Sequence, residues 1–376
     1  MKGKVVIIGP AHPLRGGLAS FNERMAKEFM IEDYQTSIYT FSLQYPSFLF
    51  PGTTQFSSEP VPSTLDIHVK INSINPLNWI KIGLELKKIQ PDLIVVRYWL
   101  PFMGPCLGTI LRIIKRNKKT KIVCIADNII PHEKRIGDSI FTKYFIKPID
   151  AFITMSSSVL NDLKQFTSKP AQEIAHPLYD NFGNKMDADV AKKHLQIPLN
   201  TKIVLFFGFI RKYKGLDTLL EAIYILKQKG YFKNHLIQFL IAGEYYEDAK
   251  SYEDLIEKYQ IKEQLIMRTE FIADSDVKYF LSCADCVIQP YKSATQSGVT
   301  PLAYHFEVPM IVTNVGGLPK LVPDTIGLIA EPNAQSIAEK IETFFEQNNS
   351  IYISNIKEEK KKYTWGKLIQ TIINIV

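Results

Sequence analysis

Four short segments combine residues suited to holding an anion. The first is Gly9-Pro-Ala-His12-Pro-Leu-Arg15-Gly16-Gly17, in which paired glycines let backbone amides approach a ligand closely. The second is Gly208-Phe-Ile-Arg211-Lys212-Tyr213-Lys214-Gly215, three cations within a few residues of a helix start. Mobile positive side chains beside free amides are what a diphosphate requires. The third, Pro290-Tyr-Lys-Ser-Ala-Thr295-Gln296-Ser297-Gly298-Val299, offers small hydroxyl groups, an amide and a glycine to phosphate or sugar hydroxyls. The fourth is the pair Gly316-Gly317. His132, in Asp127-Asn128-Ile-Ile-Pro131-His132, is suited to moving a proton or holding a substrate hydroxyl; the alternative is an ordinary loop histidine. Cys283 and Cys286 form a C-x-x-C without a second pair or a histidine cluster, so core cysteines are expected rather than a metal site. No Walker loop, GxGxxG fingerprint or Ser-His-Asp set is present.

Each of these segments follows an apolar run of strand length. Candidate strands are Val5–Ile8, Thr36–Phe41, Asp92–Val96, Lys121–Ala126 and Ala151–Met155, then Ile203–Phe207, Ile237–Ala242, Leu265–Arg268, Cys286–Gln289, Met310–Thr313 and Gly327–Ala330. Several are continuous apolar runs without polar alternation, the pattern of parallel strands covered on both faces by crossover helices. The stretches between them carry helical spacing, as in Leu18, Phe21, Met25 and Phe29. Ligands of doubly wound sheets bind beyond the carboxyl ends of the strands, where the four segments fall. So many strands exceed one such sheet. The expected fold is α/β, two Rossmann-like parallel-sheet domains facing across a cleft: residues 1–188, residues 189–355, and a terminal helix over 356–376.

Composition narrows the class. The 376 residues are 46% apolar and 22% charged, which excludes a disordered or fibrous chain. The net charge of +7 is too small to indicate a nucleic-acid binder. Four cysteines exclude a disulfide scaffold and fit a reducing compartment. The apolar run near Met1 is too short for a signal-peptide core. Tyr98 to Leu111, the best candidate span, is too short for a bilayer and holds Pro101 and Pro105. A cytoplasmic chain is expected, peripheral on the inner face of the membrane if its basic stretch is used. That stretch, Arg112, Lys115, Arg116, Lys118, Lys119 and Lys121, is either a solvated helix end or a patch facing anionic lipid or an anionic acceptor.

The order and spacing of GFIRKYKGLDTLLEA, IAGE, EFI, CADCVIQPY, SATQSG, PMIVTNVGG and the terminal YTW resemble the retaining nucleotide-sugar glycosyltransferases of the GT-B fold, family four (glycosyl transferases group 1). The resemblance covers nearly the whole chain. It implies a nucleoside-diphosphate-sugar donor bound mainly by the C-terminal domain. A glycan, polysaccharide or lipid-linked acceptor would be bound mainly by the N-terminal one, without a metal or other cofactor. Lys214 and Arg211 would hold the donor diphosphate and stabilise the leaving group, Arg211 replacing an arginine that the family places where this chain has Phe209. Gly16, Gly17, Gly208 and the Ser297–Val299 segment would contact phosphate or sugar, and Glu270, Phe271 and Ile272 would border the base. Arg15, Asn128 and His132 would serve the acceptor side, with His132 assisting catalysis. Two glutamates common in the family, eight positions apart, are replaced here by Ala294 and Leu302, or by Thr295 and Ala303 in the neighbouring alignment. Thr295, Gln296 and Ser297 are then the groups available for sugar hydroxyls. A sugar-nucleotide epimerase and a non-catalytic nucleotide-sugar-binding paralogue share these features and are the rival readings.

Overall fold

A computed structural model describes residues 1–46, 54–57, 59–131, 137–294 and 297–376. The chain forms two units, Met1–Pro177 with Tyr363–Val376, and Leu178–Lys362. The division expected from composition lay at 188/189.

In the N-terminal unit the apolar runs form parallel strands β1 (Lys4–Ile8), β2 (Gln35–Leu43), β3 (Asp66–Asn72), β4 (Leu93–Tyr98), β5 (Lys121–Ala126), β6 (Ala151–Thr154) and β7 (Ala171–Glu173). Their order, β3-β2-β1-β4-β5-β6-β7, reverses direction at β1. Loops after β1 and β4 therefore diverge and leave a crevice at the strands' carboxyl ends. Every residue of β4 is buried, as a strand covered on both faces requires. β3 and β7 were absent from the expected set. β3 (DIHVKIN) is a largely polar edge strand and β7 has three residues, so neither shows an apolar run.

Helices α1 (Gly17–Ile31), α2 (Pro76–Ile89), α3 (Gly104–Lys115), α4 (Asp138–Ile146) and α5 (Ser157–Lys164) join the strands. Asn75 caps α2 by accepting from the amides of Leu77 and Asn78, and Ser156 caps α5 through the amide of Val159. Tyr98 to Leu111 is the end of β4, a 3-10 turn and most of α3, and no helix of the described residues is long and apolar enough to cross a membrane.

The second unit carries α6 (Ala188–His194), β8 (Lys202–Phe207), α7 (Leu216–Gln228), β9 (Ile237–Ala242), α8 (Lys250–Tyr259), β10 (Leu265–Arg268), α9 (Val277–Cys283) and β11 (Cys286–Gln289). It continues through α10 (Val299–His305), β12 (Met310–Thr313), α11 (Leu318–Leu321), β13 (Gly327–Ala330), α12 (Ala334–Glu346) and α13 (Ser350–Glu359). Its parallel sheet runs β10-β9-β8-β11-β12-β13, with the reversal at β8. The thiols of Cys283 and Cys286 are free and buried in this unit.

The last helix, α14 (Trp365–Asn374), belongs to the N-terminal unit. Thr364 caps it through the amide of Lys367. Trp365, Leu368, Ile369 and Ile372 are buried, and the Trp365 ring lies 4.7 Å from Phe21 of α1. Burial of each aliphatic side chain contributes about 1.5–3 kcal/mol, which holds a ten-residue helix that would be marginal alone.

Candidate functional site

The crevice residues of the second unit converge on one cation. After β8 the chain turns through Gly208, at φ 92°, then passes Arg211 into a 3-10 turn, Lys212–Lys214. Gly215, at φ 71°, ends that turn and starts α7. Any Cβ at Gly215 would lie 1.9 Å from the Pro290 carbonyl oxygen, so only glycine lets the β8 and β11 loops meet. The Lys292 amide donates to the Tyr213 carbonyl at 2.7 Å, and Lys292 pairs with Asp217.

This geometry folds the Lys214 side chain back over the strand end. Its residue is 9% exposed, and a Cβ at Gly208 would lie 3.1 Å from Nζ and 3.7 Å from the Val299 methyl Cγ2. Gly208, Lys214 and Val299 are thus neighbours. The Tyr291 ring centroid is 5.8 Å from Nζ. Among the described residues no carboxylate forms a salt bridge with Lys214. Burial, with a smaller contribution from the Arg211 charge, lowers its pKa to about 7. A cation kept out of water without a counter-ion is costly unless an anion arrives. Arg211 is exposed, its guanidinium 5.0 Å from the Tyr246 ring, on which Phe209 also packs at 4.2 Å. Two cations therefore stand at one strand end, one buried and one at the rim.

Beside them, Ser297 is buried; its Oγ accepts from the Val299 amide at 3.1 Å and lies 3.3 Å from the Tyr291 hydroxyl. The Val299 amide, expected among the phosphate contacts, is therefore already bonded by Ser297. Gly298 is exposed above Tyr179. Leu302 and Ala303, the two alternative positions for the second expected glutamate, are both buried in α10. Gly316, at φ 54°, brings its loop against the Ala294 carbonyl, 1.7 Å from where a Cβ would stand. Exposed Glu270 and half-buried Phe271 and Ile272 follow β10, on the far side of β9 from β8. Thr295, Gln296 and His132 lie outside the described residues.

In the N-terminal unit, Gly16, at φ 100°, precedes α1, and Gly17 is its first residue. Arg15 sits in the same loop, its amide donating to the Gln55 carbonyl at 3.0 Å, and half-buried Asn128 follows β5. The sequence reading missed what lies beneath them. Arg97, the last residue but one of β4, donates from Nε and Nη2 to the two oxygens of Asp127 at 2.5 Å each. Both residues are buried. Arg97 also covers the Phe21 ring at 4.0 Å, and Phe21 meets His176 edge-on at 5.0 Å. Burial keeps His176 neutral, its pKa lowered to about 3, with Arg97 adding to the shift. Gly9 makes room here, since a Cβ would lie 2.6 Å from Asn22 Nδ2 and 3.1 Å from Arg97 Cβ. The signal for Arg97 is a single arginine closing an otherwise apolar run, LIVVRY.

His, Cys, Asp and Glu side chains of the described residues form no group of three able to hold a metal.

Residues 187–363 match the model of the family described as glycosyl transferases group 1. Over 265 residues the chain is 26% identical to the putative teichuronic acid biosynthesis glycosyltransferase TuaC of Bacillus subtilis (strain 168), covering 69% of this chain and 62% of TuaC. The match thus spans less than two thirds of that relative's length. Sucrose-phosphate synthase from Thermosynechococcus elongatus superposes with a TM-score of 0.76 at 14% identity, over 99% of this chain and all of that one. HepE of Anabaena, solved in complex with UDP-glucose, superposes with a TM-score of 0.73 at 15% identity, over 99% of this chain and 98% of that one. Residues 187–363 thus resemble the glycosyl transferases group 1 family, and the two parallel-sheet units are those of the GT-B fold.

Proposed function

We propose that this protein transfers a sugar from a nucleoside-diphosphate-sugar donor to a glycan, polysaccharide or lipid-linked acceptor, with retention at the anomeric carbon. The observation that carries the reading is Lys214, a buried cation without a salt-bridge partner among the described residues, at the carboxyl end of a central strand of the domain that matches the family model. A diphosphate supplies the missing counter-charge. As the sugar–phosphate bond breaks, negative charge grows on the leaving oxygen, and a cation already fixed beside it stabilises that charge without reorganisation. Arg211 reaches the same group from the rim. Because two side-chain cations meet the leaving group, this reading calls for no metal.

Other roles are those that the sequence resemblance implies. Glu270, Phe271 and Ile272 border the base, and Thr295, Gln296 and Ser297 read sugar hydroxyls by neutral hydrogen bonds. Arg15, Asn128 and His132 serve the acceptor. The TuaC likeness and the UDP-glucose complex of HepE support a sugar nucleotide as donor and a bacterial surface polymer as setting.

Calorimetric titration with UDP-, GDP- and ADP-sugars, followed by an acceptor screen with the donor that binds, tests the reading. Binding of one donor and acceptor-dependent release of its diphosphate are expected. Release or epimerisation with donor alone would favour the epimerase reading, and binding without turnover on any acceptor the non-catalytic one. Loss of all donor binding would reject the proposal.

A further inference from the structure

The basic stretch noted in the sequence does not act as one patch. Lys115 is paired with Asp150 and Lys119 with Asp92. Arg112 instead lies over the Tyr144 ring at 3.7 Å, which joins it to α4. That contact belongs to a layer of three helices on the N-terminal sheet, with α2 packed on α3 and α3 on α4. Glycines make the layer tight. A Cβ at Gly83 of α2 would stand 2.9 Å from Ile113 of α3. On α3, Cβ atoms at Gly104 and Gly108 would stand 2.6 Å from the Phe141 carbonyl and 2.8 Å from the Tyr144 ring. Thr109 and the Tyr144 hydroxyl are 2.9 Å apart.

The outer side of this layer is unusual for a water-facing surface. On α2, Leu77 (77% exposed), Ile80 and Leu84 form a helical stripe. On α4, Ile140 (70% exposed), Phe141 and Tyr144 do the same. Cations are set among them: Lys81 and Lys88 on α2, Arg112 and Arg116 at the end of α3, Lys143 and Lys147 at the end of α4. The three helices contain two carboxylates, Glu85 and Asp138, neither fully exposed, and Glu85 is bonded to Tyr39 and Lys70. Beside α4 a cavity of about 390 Å³ places Arg112, Lys115, Lys147 and Lys169 around one acid, Asp150.

We propose that the outer face of α2, α3 and α4 docks this protein on an anionic lipid bilayer. The apolar stripes enter the headgroup boundary, the cations meet lipid phosphates, and the cavity takes a headgroup. Charge decides the occupant. An apolar surface with cations of one sign and almost no acids complements an anionic sheet, and it would repel a second copy of itself. Exposed apolar side chains with basic neighbours and an aromatic rim are the composition that interfacial binding uses.

The test is sedimentation of the full chain with vesicles of phosphatidylcholine alone, or of phosphatidylcholine with about 30% phosphatidylglycerol, in low and high salt. Co-sedimentation only with the anionic vesicles, reversed by high salt, is expected. Each cation near the surface is worth about fivefold in binding, so Lys143→Glu with Lys147→Glu should lower it at least about twentyfold. Ile140→Ser with Leu84→Ser, both at exposed positions, should weaken it without altering the thermal midpoint. Equal binding by wild type and these variants, or no binding to anionic vesicles, would overturn the proposal. So would a concentration-dependent dimer abolished by Ile140→Ser, which would give the face to a second copy. Vesicle binding needs no donor, so its failure and failure of the transferase reading are separate results.

Discussion

Among the described residues two buried cations stand at the carboxyl ends of strands, Arg97 in the N-terminal unit and Lys214 in the C-terminal one. Arg97 is held bidentately by Asp127 and covers the face of Phe21. Among the described residues Lys214 has no salt-bridge partner, and its pKa falls to about 7. Arg97 is the last residue but one of β4, beside the reversal at β1, and Lys214 follows β8, where its own sheet reverses. The difference is the counter-charge. Where the chain supplies it, the cation ties β4, β5 and α1 together. Where the chain withholds it, the site keeps its attraction for an anion from outside.

The comparison is broken most severely at Arg97. Arg97→Met takes the bidentate guanidinium away from the buried Asp127 carboxylate and should lower unfolding stability by about 3–5 kcal/mol in urea denaturation. Adding Asp127→Leu should restore most of that loss, because an apolar pair needs no counter-charge. At Lys214 the expectation reverses. Lys214→Met removes a charge that has no counter-ion and should leave the apo protein at least as stable. Lys214→Ala should weaken nucleoside-diphosphate binding by about ten- to a hundredfold, the worth of a charged hydrogen bond.

The two cations also differ with pH. An unfolded lysine keeps its proton to its ordinary pKa of about 10.4, whereas folded Lys214 gives it up near 7. Between these values the unfolded chain binds more protons, so this residue makes stability rise with pH. Its destabilising effect is full below about pH 7 and gone above the unfolded pKa. Wild type and Lys214→Met should therefore differ in thermal midpoint at pH 6 and converge toward pH 10. An unchanging difference would mean that Lys214 is not buried as a charge.

Smaller effects sharpen the picture. Gly208→Ala should cost about 1–2 kcal/mol, because its φ of 92° suits no L-residue and the new methyl would press on Lys214 Nζ. Gln296→Ala should reduce affinity for the whole sugar nucleotide about tenfold and barely change that for the free diphosphate, if this side chain reads the sugar.

The strand-end loops were legible because they follow runs such as KIVLFF and CVIQ, whose lack of polar alternation marks strands covered on both faces. Gly208, Arg211 and Lys214 could be placed just beyond a buried strand on that ground alone. β3 and β7 were not legible, since edge strands need not be apolar and their pairing is decided by β2 and β6. Nor was the state of each cation. Sequence shows Arg97, Asp127 and Lys214, but which cation finds a carboxylate depends on strand order, with β4 beside β5. The bond from Ser297 Oγ to the Val299 amide was hidden for the same reason, being a matter of local chain direction that spacing does not reveal.

The central claim is that Lys214 awaits the donor diphosphate. At pH 8 the free side chain has mostly lost its proton, and binding of the sugar nucleotide selected by the donor titration, whose pyrophosphate does not titrate near neutrality, should restore it. Calorimetric titration at pH 8 in two buffers of different ionisation enthalpy reads that proton directly. Uptake approaching one proton per donor bound, absent in Lys214→Met, is the expected result. Tight binding without proton uptake, or uptake that persists in the variant, would contradict it.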